Sequence, residues 1–254
     1  MTDQTRESHA AADQLDSRER LQKMYAESPI DPADMMTNLG LYIRSSALVK
    51  FLVIDDLYRR IIDIPGAIIE CGTWYGQNLV LFENLRAIYE PFNKDRRIIG
   101  FDTFTGYTGF SDKDDDGEIF KQGNYSTLAE YQGYLEELLK VHESCSVLGH
   151  IHGGHELVRG DITKSVPAYF EEHPEQPVAL AYLDVGLYEP TKAALEAIKP
   201  NLLPGSVILL DEFNWRDAKG EALAFKEVFA GEIFKIEQSR LTPLRAIVTW
   251  GISS

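Results

Sequence analysis

Three groups of residues in this 254-residue chain combine side-chain types and spacings that could do chemistry. The first is Glu70-Cys71-Gly72-Thr73-Trp74-Tyr75-Gly76-Gln77-Asn78, which follows the apolar Ile68-Ile69 and leads into a stretch of helical period. A ligand in an open α/β sheet lies beyond the carboxyl end of such a strand, where glycines let the backbone approach it and the next helix offers free N–H groups. The spacing Glu-x-Gly-x-x-x-Gly is not the Gly-x-Gly-x-x-Gly of dinucleotide sites, and a plain strand-to-helix turn is the competing reading. The second group is Gly100-Phe101-Asp102-Thr103-Phe104. A carboxylate ending the second strand can accept hydrogen bonds from both hydroxyls of a ribose, whereas a loop acid can also be merely solvated. The third is Asp184, at the end of one apolar run, with Asp211-Glu212 at the end of the next. On adjacent strands these acids meet at one edge and offer hard oxygen ligands suited to Mg²⁺; as separate residues each would cap a following helix.

Positioning these groups requires strands that all end on one edge. From residue 65 onward, short apolar runs alternate with helix-period stretches, the pattern of successive βα units around a mostly parallel sheet. The fold class is therefore α/β, with strands expected at 67–71, 97–102, 157–161, 178–184, 206–211, 234–238 and 245–250. Helices are expected near 77–89, 128–142, 166–172, 188–198 and 218–229. Six residues, 239–244, separate the last two strands, too few for a crossover helix, so these pair as an antiparallel hairpin. Upstream, Leu39, Ile43, Ala47, Phe51, Ile54, Leu57, Tyr58, Ile61 and Ile62 fall on one stripe of a single long helix that Pro65-Gly66 stops. Residues 1–20 are charged and poor in large apolar side chains, the composition of a loose arm. The expected organisation is an arm at 1–20, a helical cap at 21–64 and a ligand-binding domain at 65–254.

Composition narrows the partners. A net charge of −15 repels nucleic acid and anionic membranes. No apolar run approaches a membrane span, and the polar N-terminus has no signal-peptide core, so a cytoplasmic protein is expected. Cys71 and Cys145 read as reduced thiols. Residues 112–118 begin like a calcium loop but place Gly123 where a bidentate Glu belongs, which favours a solvated acidic loop. The connection 105–127 is long enough to serve as a lid over an acceptor. His150, His152 and His155 surround two glycines, the composition of an irregular turn more than of a metal site. Symmetric dimers are the commonest oligomers, so a homodimer is the default expectation.

The strings IPGAIIECGTWYG at 64–76, GFDTF at 100–104, LDVGLYEPTKAALE at 183–196 and LLPGSVILLDEFN at 202–214 together resemble the metal-dependent sugar O-methyltransferases. That group includes the macrocin, mycinamicin and novobiocin sugar methyltransferases and the deoxyhexose 3-O-methyltransferases. The resemblance spans about 38–250. It implies a Rossmann-like class I methyltransferase: a seven-stranded, mostly parallel sheet with one antiparallel strand, helices on both faces and an N-terminal helical extension near the acceptor. Glu70, Gly72, Thr73 and Gly76, with Cys71, Trp74 and Asn78 among them, then contact S-adenosylmethionine. Asp102 binds its ribose, Thr103 and Phe104 follow, and Gly160 and Asp161 lie at the adenine end. Asp184, Asp211 and Glu212 match the acids that hold Mg²⁺ or another divalent cation, with Asp184 also catalytic. Many members have Asp where Glu212 stands. They commonly carry a second Asp, favoured as general base, where this chain has Gly186.

Methyl transfer needs sulfonium, methyl carbon and acceptor oxygen in line, and an oxygen made nucleophilic. A divalent ion lowers the pKa of a sugar hydroxyl while a base takes its proton. The expected activity is methylation of a sugar-containing small molecule, a deoxyhexose on a nucleotide or natural product. A catechol, which also chelates a metal, is the alternative acceptor. Gly186 raises a cofactor-binding partner subunit of weak activity as a second alternative, and fold alone would allow a nicotinamide oxidoreductase.

Overall fold

The structure is a computed structural model that describes residues 12–114, 121–147, 151, 153–216 and 218–252. His150, His152 and the acidic residues at 115–118 lie outside them. Two compact units divide at Leu52/Val53, within the helix Ser45–Arg60 (α3).

In the first unit, Ala12–Ala26 (α1) runs from within the stretch expected to be a loose arm, 1–20, into the expected cap. Ala, Leu, Gln, Arg and Glu are good helix formers, and Tyr25 near its end packs edge-on against Tyr42, 5.3 Å between ring centroids. The short helix Pro32–Met35 (α2) is capped by Asp31, whose carboxylate accepts the Ala33 amide at 2.9 Å. The single long helix expected from 38 to 64 is two pieces, a 3₁₀ turn at Leu39–Tyr42 and α3, because Ile43 is extended between them. Gly40 and the Ser45-Ser46 pair weaken helix continuity there despite the apolar stripe.

The second unit contains a seven-stranded sheet in the order β3-β2-β1-β4-β5-β7-β6. The strands are Ala67–Cys71 (β1), Ile98–Asp102 (β2), His155–Arg159 (β3), Val178–Leu183 (β4), Leu202–Leu210 (β5), Phe234–Gln238 (β6) and Ala246–Trp250 (β7). β7 runs antiparallel to both β5 and β6, the hairpin the short 239–244 connection demands. β3 starts two residues earlier than apolarity suggests. Its polar first residue is held in register opposite Ile98, while Gly160 and Asp161 leave the strand to begin a helix.

Gln77–Tyr89 (α4), Tyr131–Ser144 (α5), Ile162–Glu172 (α6), Tyr188–Ile198 (α7) and Lys219–Val228 (α8) complete the unit. One sheet face, including Ile69, Cys71, Phe101, Leu183 and Leu210, forms a core with Val166 of α6, Leu195 of α7 and Phe225 of α8. On the other face α4 lies so close to β2 that a Cβ at Gly100 would meet Leu79 at 2.7 Å.

Two buried details fix this frame. Arg96, 2% exposed at its side chain, donates to Glu90 and to the carbonyls of Ile61, Ile64 and Gly66, tying the end of α3 to the sheet. Burial alone would raise the Glu90 carboxyl, but hydrogen bonds from Arg96, Tyr58 and Asn93 outweigh it and hold the group below its ordinary value. Gly72, at φ +90°, stands where a Cβ would be 2.1 Å from the Asp184 carbonyl oxygen.

Arg96→Met should lower unfolding free energy by about 3–5 kcal/mol, because it strands a buried carboxylate and several carbonyls; urea denaturation showing less than about 1 kcal/mol would refute this role. The contribution of Glu90 is complete above the ordinary glutamate range and is lost as pH falls through its lower native value, so an acid titration of stability should flatten in Glu90→Gln. Gly72→Ala adds backbone strain to a collision with main chain, and should cost on the order of 3 kcal/mol in thermal denaturation.

Candidate active site

Parallel, in-register pairing brings the candidate residues to one edge. Cys71 lies opposite both Phe101 and Leu183, and Leu183 lies opposite Leu210. The backbone ladder runs one residue past the strands: Gly72 donates to the Phe101 carbonyl at 2.9 Å, Asp184 to that of Cys71 at 2.9 Å, and Asp211 to that of Leu183 at 3.1 Å. Asp102, Gly72, Asp184 and Asp211 are thereby aligned along the carboxyl edge.

The β1–β2 half holds a polar cradle. Glu70, 1% exposed, accepts the Asn78 amide at 2.7 Å, joining the strand to the first turn of α4. Asp102 accepts the backbone N–H of Trp74 at 2.7 Å and of Phe104 at 2.6 Å. Burial raises its carboxyl above the ordinary range although these hydrogen bonds oppose it. Trp74 and Phe104 adopt φ +48° and +56°, a left-handed conformation that non-glycine residues hold when the surroundings enforce it. Gly76 caps α4 without a side-chain acceptor, leaving the first-turn amides of that helix uncapped by a side chain. Thr73 Oγ1 and Asn78 Oδ1 are buried and find no hydrogen-bond partner among the described residues. A wall of rings borders the cradle: Trp74 lies 4.4 Å from Tyr75 and 5.4 Å from Tyr125, which lies 5.4 Å from Tyr107.

Three predicted cofactor residues have other attachments. The Cys71 side chain lies in the core, where burial raises its thiol far above the usual range. Thr103 Oγ1 donates to the Gly106 carbonyl at 2.8 Å. Asp161 caps α6 by accepting from the Thr163 amide and hydroxyl at 3.0 and 2.8 Å. Gly160 follows β3 at φ +155° and donates to the Asp102 carbonyl at 2.9 Å.

The β4–β5 half is acidic. Asp184, Asp211 and Glu212 each place a carboxylate oxygen within 4.8 Å of the others. Asp211 accepts the Tyr182 hydroxyl at 2.6 Å and is engaged by the Arg245 guanidinium. Burial, followed by the charges of Asp184, Asp211 and Glu221, pushes Glu212 well above the ordinary carboxylate range. A divalent cation among them would reverse that logic by favouring ionised oxygens. Glu212 Oε2 is buried without a hydrogen-bond partner among the described residues, as a cation-binding oxygen would be. Gly186, at φ +61°, carries no side chain into this region, and Glu189 is exposed on the first turn of α7.

Sequence reasoning missed Tyr182, Arg245, Glu221 and Tyr107. Arg245 was recoverable from topology, because β7 beside β5 sets Ala246 opposite Leu210 and so brings the preceding arginine toward Asp211. Glu221 looks like any first-turn helix acid. Tyr107, whose phenol is raised far above its usual range by burial and then by Glu212 and Asp184, sits in a connection without pattern. The base of that connection is closed by the backbone N–H of Tyr107 donating to the Asn124 carbonyl at 3.0 Å, and its Asp114 accepts the Tyr188 amide of α7 at 2.7 Å. His155, from the predicted histidine cluster, instead meets buried Glu83 at 2.6 Å.

Comparison with known proteins places this edge in a family. Residues 52–238 match the family model described as macrocin O-methyltransferase (TylF). The crystal structure of the calicheamicin methyltransferase CalS11 is 38% identical, with 99% of this chain and 98% of that chain covered and a TM-score of 0.92. An apo structure of CalS11, described as a TDP-rhamnose 3'-O-methyltransferase of calicheamicin biosynthesis, is 36% identical, covers 96% and 97% of the two chains and has a TM-score of 0.83. The O-methyltransferase NovP, at 15% identity, 80% and 79% coverage and a TM-score of 0.57, shares the fold. A search of curated proteins returns no sequence match. With most of its length matched by the family model and nearly all of it aligned to an O-methyltransferase structure, this chain belongs to the macrocin O-methyltransferase (TylF) family.

Proposed function

We propose that the protein transfers a methyl group from S-adenosylmethionine to a hydroxyl of a deoxyhexose carried on a nucleotide, with a divalent cation at Asp184, Asp211 and Glu212. The observation that carries this reading is the meeting of three carboxylates within 4.8 Å on the same sheet edge as the Glu70–Asn78 and Asp102 cradle. The description of one near-full-length relative as a TDP-rhamnose 3'-O-methyltransferase supports the acceptor class.

In the cradle, Asp102, which already accepts from backbone amides including those of Trp74 and Phe104, would take the ribose hydroxyls. The buried Thr73 Oγ1 and Asn78 Oδ1 would meet polar groups of the donor, and the uncapped start of α4 suits its carboxylate. Glu70 orients Asn78. The rings of Trp74, Tyr75 and Tyr125, which pack on one another beside the cradle, would offer aromatic surface to a cationic sulfonium bound there. At the acidic half, Tyr182 and Arg245 fix the Asp211 carboxylate. A bound divalent ion supplies Lewis acidity that lowers the pKa of an acceptor hydroxyl. Asp184, the carboxylate at the end of the strand nearest the cradle, is the catalytic residue for orienting the acceptor. Gly186 leaves the usual position of the base without a side chain.

Calorimetry of the metal-free protein should show heat with S-adenosylmethionine and none with NAD, and Asp102→Ala should weaken donor binding about 10–100-fold, the value of hydrogen bonds to a charged group. Absence of donor binding would overturn the assignment. Magnesium or manganese binding should vanish in Asp184→Ala and Asp211→Ala, with turnover of a nucleotide-linked deoxyhexose falling at least 100-fold. Because Glu212 holds its proton more tightly than an ordinary glutamate, ion binding should release a proton and strengthen as pH rises; a pH-independent affinity would contradict the role of Glu212. Donor binding without turnover of any acceptor, with activity gained in Gly186→Asp, would identify a cofactor-binding partner subunit instead.

A further inference from the structure

Glu221 is a fully buried carboxylate, 0% exposed, in the first turn of α8. Burying such a group is costly unless its hydrogen bonds are needed. Its Oε2 accepts the backbone N–H of Glu212 at 2.9 Å. Burial raises the Glu221 carboxyl well above its ordinary range, against the hydrogen bond from the Glu212 amide. Its oxygens are not among the three that gather within 4.8 Å, and Glu221 Oε1 finds no partner among the described residues. The turn that carries it has little freedom. A Cβ at the preceding Gly220 would lie 2.5 Å from the Tyr188 amide nitrogen and 2.4 Å from Asp114 Oδ1, so the start of α8 is pressed against the start of α7.

We propose that Glu221 is a positioning residue for the acidic centre: from the start of α8 its carboxylate anchors the backbone of Glu212 and so aims that side chain at the point it shares with Asp184 and Asp211. It touches neither ion nor acceptor. This assignment rests on the metal reading of that centre. An acceptor oxygen is what the role requires, and a glutamine supplies one in the same place, whereas a methionine of similar length supplies none.

The test measures Mn²⁺ affinity and S-adenosylmethionine affinity of the full chain as wild type, Glu221→Gln and Glu221→Met, with acceptor kinetics at saturating donor. Glu221→Gln should bind Mn²⁺ within about threefold of wild type. Glu221→Met should lose tenfold or more, with kcat falling in step, while donor affinity in both stays within about twofold. Wild-type Mn²⁺ affinity in a folded, donor-binding Glu221→Met would overturn the proposal and leave Glu221 a packing residue. A tenfold loss in a folded Glu221→Gln would overturn it too, because charge and not the amide anchor would then be acting; this arm decides the matter even if the methionine variant does not fold. No Mn²⁺ binding by the wild type would overturn the metal reading and this assignment together.

Discussion

The pairing of β1 with β4 is the constraint on which the rest of the edge depends. Cys71 and Leu183 lie opposite one another, Asp184 then donates to the Cys71 carbonyl, and the next residue of β1 approaches so closely that a side chain there would overlap the Asp184 carbonyl. A one-residue slip would turn Ile69 and Cys71 out of the core and carry the cradle away from the acids. The apolar core between this face and α6, α7 and α8 opposes that slip, so register at the site is enforced by packing far from it.

Electrostatics sets the second demand. A chain of net charge −15 gathers three carboxylates at one point and buries a further one, Glu221, behind them. Arg245 and the Tyr182 hydroxyl stabilise Asp211, and the Glu212 amide donates to Glu221, while burial, the charges of its neighbours and a hydrogen bond with Asp184 together raise the Glu212 carboxyl. Without a cation this arrangement favours a bound proton. A divalent cation, if bound there, would compete with that proton for the same oxygens.

Much of this was legible in the sequence. The strands 67–71 and 234–238 and the helices 77–89 and 188–198 follow from apolar period and breaker residues, because there local preference and tertiary packing agree. Agreement failed where polar residues enter elements for tertiary reasons. His155 belongs to β3 because of its neighbours in the sheet and its bond to Glu83. The first helix forms on a stretch with few large apolar residues and rests its Tyr25 on Tyr42, and the stripe from 38 to 64 breaks at Ile43 although its periodicity continues. At the site, residues at strand ends were visible. Tyr107 and Glu221 were not, because each reaches the centre from a turn or helix start whose position depends on the finished fold.

Asp114 bears on how a charged acceptor could be received. The start of a helix with exposed amides is a common seat for phosphate. In α7 that seat is already taken: Leu187 provides no side-chain cap, and Asp114 from the long connection supplies an oxygen to the Tyr188 amide in its place. The protein's own carboxylate therefore competes with any phosphate for that end of the helix. An anionic group brought to this edge would find the start of α7 closed to it and would have to be held by other groups.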